Sequence, residues 1–265
     1  MLLTVRHTTE YRYDEAPDYV LQRLRLTPKG TSGQRVHDWS VHLTGAVQQV
    51  AYEDEHRNHT LLVAAEAGTE RLAIVAEGTV ETADNGGVTG PHQGPLPLWH
   101  FLHSTTLTAP GASLRRLSRE VGTDEDGVAL CHRLSAAVRE AIAYRSGTTD
   151  VETTAEEALA AGNGVCQDQA HAFVACARLL GLPARYVGGY LLTEDPDQPD
   201  ESHGWAEAHV AGLGWVGFDV TNGISPDPKY VRVATGLDYA QAAPITGIRR
   251  GNGSERLAVG LDVQQ

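Results

Sequence analysis

The feature that most restricts how this 265-residue chain can fold is a change of hydrophobic period about a third of the way along it. From Leu2 to about Thr82 apolar residues alternate in short runs, with Trp39, Val41 and Leu43 on one face of one run and Leu72, Ile74 and Ala76 on one face of another. A period of two belongs to half-buried strands. Several such runs punctuated by Gly, Asp and Asn predict an antiparallel β-sandwich over residues 1–84. His56 and His59 flank Asn58 in a predicted turn and are expected there as solvated residues rather than metal ligands.

Residues 85–100, with Asn85-Gly86-Gly87 and Gly94-Pro95-Leu96-Pro97, read as a linker. Beyond it the period becomes helical, over Ser113 to Val121 and Val128 to Ala143, the second with Leu130, Leu134, Val138 and Ile142 on one stripe. Thr153 or Thr154, followed by Glu156 and Glu157, predicts a capped short helix ending near Gly162. A longer helix starts at Cys166 and is stopped by Gly181-Leu182-Pro183. Strands follow at about 184–192, 202–210 and 215–220, the last two as a hairpin through Gly212-Leu213-Gly214, with an acidic loop from Glu194 to Glu201 before them. The expected fold is α+β, with residues 101–265 as a core that ends in a closing strand near Arg256 to Val263.

A net charge of -13 excludes phosphate-backbone or anionic-membrane binding through bulk electrostatics, so no nucleic-acid or membrane partner is expected. Three cysteines without a repeating spacing suggest neither a disulfide framework nor a zinc module. The start of the chain turns polar too soon for a signal peptide, and the expected location is the cytoplasm.

One cysteine is placed for chemistry. Cys166 follows Gly162-Asn163-Gly164 and opens a helix, where unpaired N–H groups and the positive end of the dipole favour a thiolate. Such a nucleophile needs a base, and the base an orienting acceptor. His203 and Asp219 fit these roles if the hairpin is centred on Ala211, which sets them opposite one another and facing the Cys166 helix. His209, on the same strand face as His203, Trp205 and Glu207, is a rival base, though it adjoins the turn. His171 points away from Cys166 and is expected to be structural. A metal site from His203, Glu207 and His209 lacks a convincing further ligand.

Three ordered segments resemble the transglutaminase-like superfamily, in its bacterial form with an N-terminal β domain. They are Gly164-Val165-Cys166-Gln167-Asp168 with the run Ala177 to Val187, then His203-Gly204-Trp205-Ala206-Glu207, then Gly214 to Asn222. Family members often carry alanine or valine where Gly204 stands and proline where Val220 stands. The flanking Leu24-Arg25-Leu26-Thr27-Pro28, Asp238-Tyr239 and Arg250-Gly251 also look like the family's, with an architectural role. The resemblance implies a papain-like core in which Cys166 is nucleophile, His203 general base and acid, and Asp219 the orienting carboxylate. It implies a thioester formed from a protein or peptide amide, then passed to water or to a primary amine. The Cys166 N–H is expected in the oxyanion hole; Tyr144 is a weaker candidate for a second donor, core packing being its alternative. No cofactor or metal is implied, and calcium dependence is not predicted. The competing reading is a non-catalytic protein-binding module that has kept the fold.

Overall fold

The computed structural model describes residues 1–123, 127–193 and 202–265; the whole acidic loop lies outside them. Six strands open the chain, β1 (Leu2–Tyr13), β2 (Tyr19–Leu24), β3 (Gln34–Thr44), β4 (Ala46–Glu53), β5 (His59–Ala65) and β6 (Arg71–Thr82). The linker contributes β7 (Val88–Gly90). Then come α1 (Ala112–Val121), α2 (Gly127–Ala141), β8 (Ala143–Tyr144), α3 (Ala155–Ala161), β9 (Asn163–Gly164) and α4 (Cys166–Leu179). The chain finishes with β10 (Ala184–Leu191), β11 (Ser202–Val210), β12 (Gly214–Phe218), β13 (Tyr230–Gly236), α5 (Tyr239–Ala242), β14 (Ile245–Arg250) and β15 (Glu255–Gln264).

Two four-stranded antiparallel sheets, ordered β15-β1-β6-β3 and β14-β2-β5-β4, form the N-terminal sandwich. Leu72, Ile74 and Ala76 are buried between them, and Trp39, Val41 and Leu43 pack against that cluster, as the alternation requires. The last two strands belong here too: Val5 pairs with Val263 and Leu24 with Ile245. The expected closing segment therefore closes the sandwich and not the core, so both ends of the chain build it. Sequence alternation reports that β15 has two faces, but not which sheet supplies its hydrogen bonds.

The core sheet runs β13-β10-β11-β12-β7, antiparallel throughout, with the linker strand β7 at one edge. Helix α4 lies against it and is buried along most of its length, because α1, α2 and α3 cover its other sides. Ala206, Ala208 and Val210 of β11 are small enough to let it approach, and Phe173 of α4 stacks on Phe218 of β12 at 5.2 Å.

The sandwich docks along β13, the other edge of that sheet. An edge strand leaves backbone donors and acceptors unpaired, and here side-chain amides satisfy them. Gln34 accepts from Arg232 N and donates to Arg232 O, both at 2.7 Å. Asn58 accepts from Thr235 N at 2.9 Å and donates to Thr235 O at 2.8 Å. Arg25, bonded to Asp54 at 3.0 Å, steadies the same loop. His56 is consequently buried, with Nε2 2.8 Å from Gln241 Oε1, and is not the solvated turn residue its surroundings in the sequence suggest. His59 is exposed.

Candidate active site

Local chemistry fixes the position of the Cys166 thiol. Helix α3 starts with a capping box, Thr154 N donating to Glu157 Oε2 at 2.9 Å and Glu157 N to Thr154 Oγ1 at 3.3 Å. It ends at Gly162, whose φ of 69° suits a residue without a Cβ. The chain then pairs Gly164 with Tyr144 in a short parallel bridge and turns into α4. Asp168, in the first turn of α4, reaches back to accept from Val165 N at 2.8 Å and from Thr149 Oγ1 at 2.7 Å. A Cβ on Gly164 would sit 2.6 Å from that carboxylate oxygen, which explains the glycine two residues before the thiol. Cys166 itself is half-buried, and as the first helical residue its N–H has no intrahelical acceptor.

The hairpin brings His203 and Asp219 together, by a register different from the expected one. Val210 pairs with Gly214 and Ala206 with Phe218, so the turn is centred on Gly212 rather than Ala211. Asp219 is thereby diagonal to His203, not opposite it. A shift of two along the partner strand preserves the sheet face, and a diagonal pair remains within reach of long side chains. His203 Nε2 donates to Asp219 Oδ2 at 2.7 Å. Alternation places both residues on the face away from the body of α4, since Gly204, Ala206 and Ala208 occupy the face toward it. His203, second in β11, instead faces Cys166, first in α4, where both elements begin, and the thiol helps to raise the imidazole pKa. With Nε2 engaged by Asp219, Nδ1 is the nitrogen left for sulfur.

The carboxylate is held from several sides. Oδ2 also accepts from Tyr230 Oη at 2.6 Å and Asn222 Nδ2 at 2.7 Å, while Oδ1 accepts from Asn222 N at 3.2 Å. Asn222 lies in the third motif, but its residue type alone gives it no role. Tyr230 comes from β13, across the sheet, and nothing near Asp219 in sequence announces it. Trp205 and Tyr230 flank the imidazole at 6.2 and 5.9 Å. Gln169 ties the two sides of the site by accepting from Thr221 Oγ1 at 2.7 Å and donating to Ile142 O at 2.8 Å.

Electrostatics follow from this geometry. Burial disfavours a charged His203, but the hydrogen bonds and opposite charge of Asp219 and Cys166 outweigh it and raise its pKa to about 10. Burial likewise works against an ionised Asp219, and His203, Tyr230 and Asn222 together hold its pKa below the usual aspartate range. The arrangement favours an imidazolium beside a carboxylate. The other two cysteines are fully buried, and burial pushes Cys131 up to about 12 and Cys176 up to about 11.

The remaining candidates are occupied elsewhere. His171 is buried and accepts from Tyr239 N at 3.0 Å, tying α4 to α5. Glu207 is bonded by Arg185 at 2.6 Å and Arg232 at 2.7 Å, and His209 packs edge-on to Trp215. Among the described residues no group of three or more His, Cys, Asp or Glu side chains could hold a metal ion. Tyr144 is 53 % exposed beside Gly164 and does not pack in the core.

Comparison with known proteins agrees with this architecture. Residues 115–220 match the transglutaminase-like superfamily, and residues 3–81 match the bacterial transglutaminase-like N-terminal region. An uncharacterised protein of Mycobacterium leprae is 26% identical over 274 residues, covering 98% of each chain. One from Mycobacterium tuberculosis is 28% identical over 276 residues, covering 92% of this chain and 86% of its own. Among solved structures, that of a candidate cysteine protease from Cytophaga hutchinsonii superposes with a TM-score of 0.77 at 22% identity, covering 100% of this chain and 91% of that one. The fold is shared although few residues are. The chain belongs to the transglutaminase-like superfamily, its core preceded by the bacterial transglutaminase-like N-terminal region.

Proposed function

We propose that the protein is a thiol-dependent enzyme acting on amide bonds, with Cys166 as nucleophile, His203 as general base and acid, and Asp219 as orienting carboxylate. The observation that carries this reading is the imidazole of His203, bound through Nε2 to Asp219 at 2.7 Å, with the Cys166 thiol near enough to help raise its pKa. Sulfur attacks the carbonyl carbon of a protein or peptide amide, His203 protonates the departing amine or ammonia, and a thioester remains on Cys166. Water then releases the acid, or a primary amine takes the acyl group. Hydrolysis by a peptidase or amidase is the favoured outcome, as no partner for cross-linking is implied. A reducing cytoplasm suits a free thiol in this role.

Mass spectrometry of peptide and glutamine libraries, with and without a primary amine, tests the reading. Cut backbones or deamidated glutamines identify hydrolysis, and amine adducts identify transamidation. Either product must disappear in Cys166→Ala. Products formed equally by Cys166→Ala would refute the thiol mechanism, and no product from the wild-type protein would favour a binding module.

A further inference from the structure

The first oxyanion donor follows from the helix start, but one N–H rarely stabilises a tetrahedral intermediate alone. Tyr186 is placed to supply a second, over the residue next to His203. Its ring lies on the α4 side of β10, against Ala170, and is fixed by His171 at 5.2 Å and Tyr239 at 6.0 Å. From there the phenol crosses to β11 and ends over Gly204, the residue directly after His203. A Cβ on Gly204 would overlap the hydroxyl and lie 2.8 Å from ring Cζ. The alanine or valine often found at this position would evict it. The missing side chain in this sequence is thus filled by a tyrosine hydroxyl.

That hydroxyl is unused and lies over the residue next to His203. Among the described residues it donates to no acceptor, and after burial the Cys166 thiol is the largest influence holding its ionisation far above the usual tyrosine range. The Asp168 carboxyl in the first turn of α4 acts in the same direction. Tyr186 therefore stays protonated at neutral pH, as an oxyanion donor must.

We infer that Tyr186 is the second oxyanion donor, with the backbone N–H of Cys166, and that Gly204 admits its hydroxyl to the site. The inference rests on the proposed role of Cys166. As sulfur bonds to the carbonyl carbon, the C=O π pair moves to oxygen, where Tyr186 Oη–H and Cys166 N–H donate to it. The phenol keeps its proton. When the pair returns to re-form C=O, the C–N bond breaks and the nitrogen takes the proton from His203.

Two probes separate this from a structural role. Iodoacetamide alkylates sulfur by displacement at a saturated carbon and forms no oxyanion, whereas N-acetylglycinal adds to sulfur reversibly as a hemithioacetal whose oxygen occupies the hole. In Tyr186→Phe, iodoacetamide should modify Cys166 within about twofold of the wild-type rate. The aldehyde concentration that half-protects Cys166 should rise on the order of 10- to 100-fold. Gly204→Ala should raise it similarly by displacing the hydroxyl. Unchanged protection in both variants overturns the assignment. Cys166→Ala distinguishes the two claims: if it keeps wild-type turnover the proposed function itself fails, and if turnover is lost while Tyr186→Phe protects normally only the donor is wrong.

Discussion

Replacing Asp219 with asparagine isolates the charge of the triad from its shape. The amide oxygen can take the position of Oδ2 and still accept from His203, Tyr230 and Asn222 Nδ2, so that the new NH2 faces only the long contact to Asn222 N. What is lost is the negative charge that opposes the desolvation of His203. The imidazole pKa stands at about 10 against an ordinary 6.5, which at ~1.4 kcal/mol per unit is about 5 kcal/mol of preference for the imidazolium. Asp219 and Cys166 together supply that preference against desolvation, Asp219 the larger part, so at least half of it, about 3 kcal/mol, belongs to Asp219. The expected loss in amide turnover at pH 7 is on the order of 10²-fold. Stability carries a matching signature. A raised histidine pKa stabilises the fold fully below about pH 6.5, and that contribution is lost as pH rises through about 10. Urea titrations from pH 6 to 10 should therefore show wild-type stability declining toward Asp219→Asn. Turnover within threefold of wild type, together with a constant stability difference across that range, would refute the electrostatic argument.

Three further outcomes follow from the packing. Glu207→Gln leaves the buried Arg185 and Arg232 without a counter-charge and should cost about 3 to 5 kcal/mol in urea unfolding; because the Glu207 carboxyl is held at about 2, the wild-type contribution should persist on acidification until pH falls through that value. Gly164→Ala drives a Cβ into the Asp168 carboxylate and should lose about 1 to 3 kcal/mol, with slower iodoacetamide labelling of Cys166 in a chain whose circular dichroism is unchanged. Asn58→Ala strips both partners from Thr235 on the edge of β13 and should lower stability by about 1 to 3 kcal/mol in urea titrations; a loss below 0.5 kcal/mol would mean that water replaces the amide.

The parts of the site that sequence exposed are those whose causes are local. Gly164, Cys166 and Asp168 lie within five residues of one another, and His203 and Asp219 each stand in a short motif on or just after a strand with clear alternation. The strand from Ser202 to Val210 has the expected bounds for the same reason. What stayed hidden depends on pairing between distant segments. Alternation fixed the face of His203 and Asp219 relative to one another, but a two-residue register shift leaves that pattern unaltered, so the Ala211 turn centre could not be told from Gly212. Tyr230 reaches Asp219 only because β13 lies two strands from β11. His56 is buried because a loop of the sandwich meets the edge of another sheet, a contact that no local polarity reveals. The docking of β14 and β15 on the sandwich is of the same kind: their alternation is visible, their partners are not.

The coupling of Cys166, His203 and Asp219 is tested most directly without any substrate, by an NMR titration of the His203 ring in protein labelled at histidine and assigned with a His203 variant. His203 should titrate near pH 10 in the wild-type protein, with its pKa falling in Cys166→Ala and falling further in Asp219→Asn. A wild-type His203 that titrates near 6.5 and is indifferent to both substitutions would contradict it.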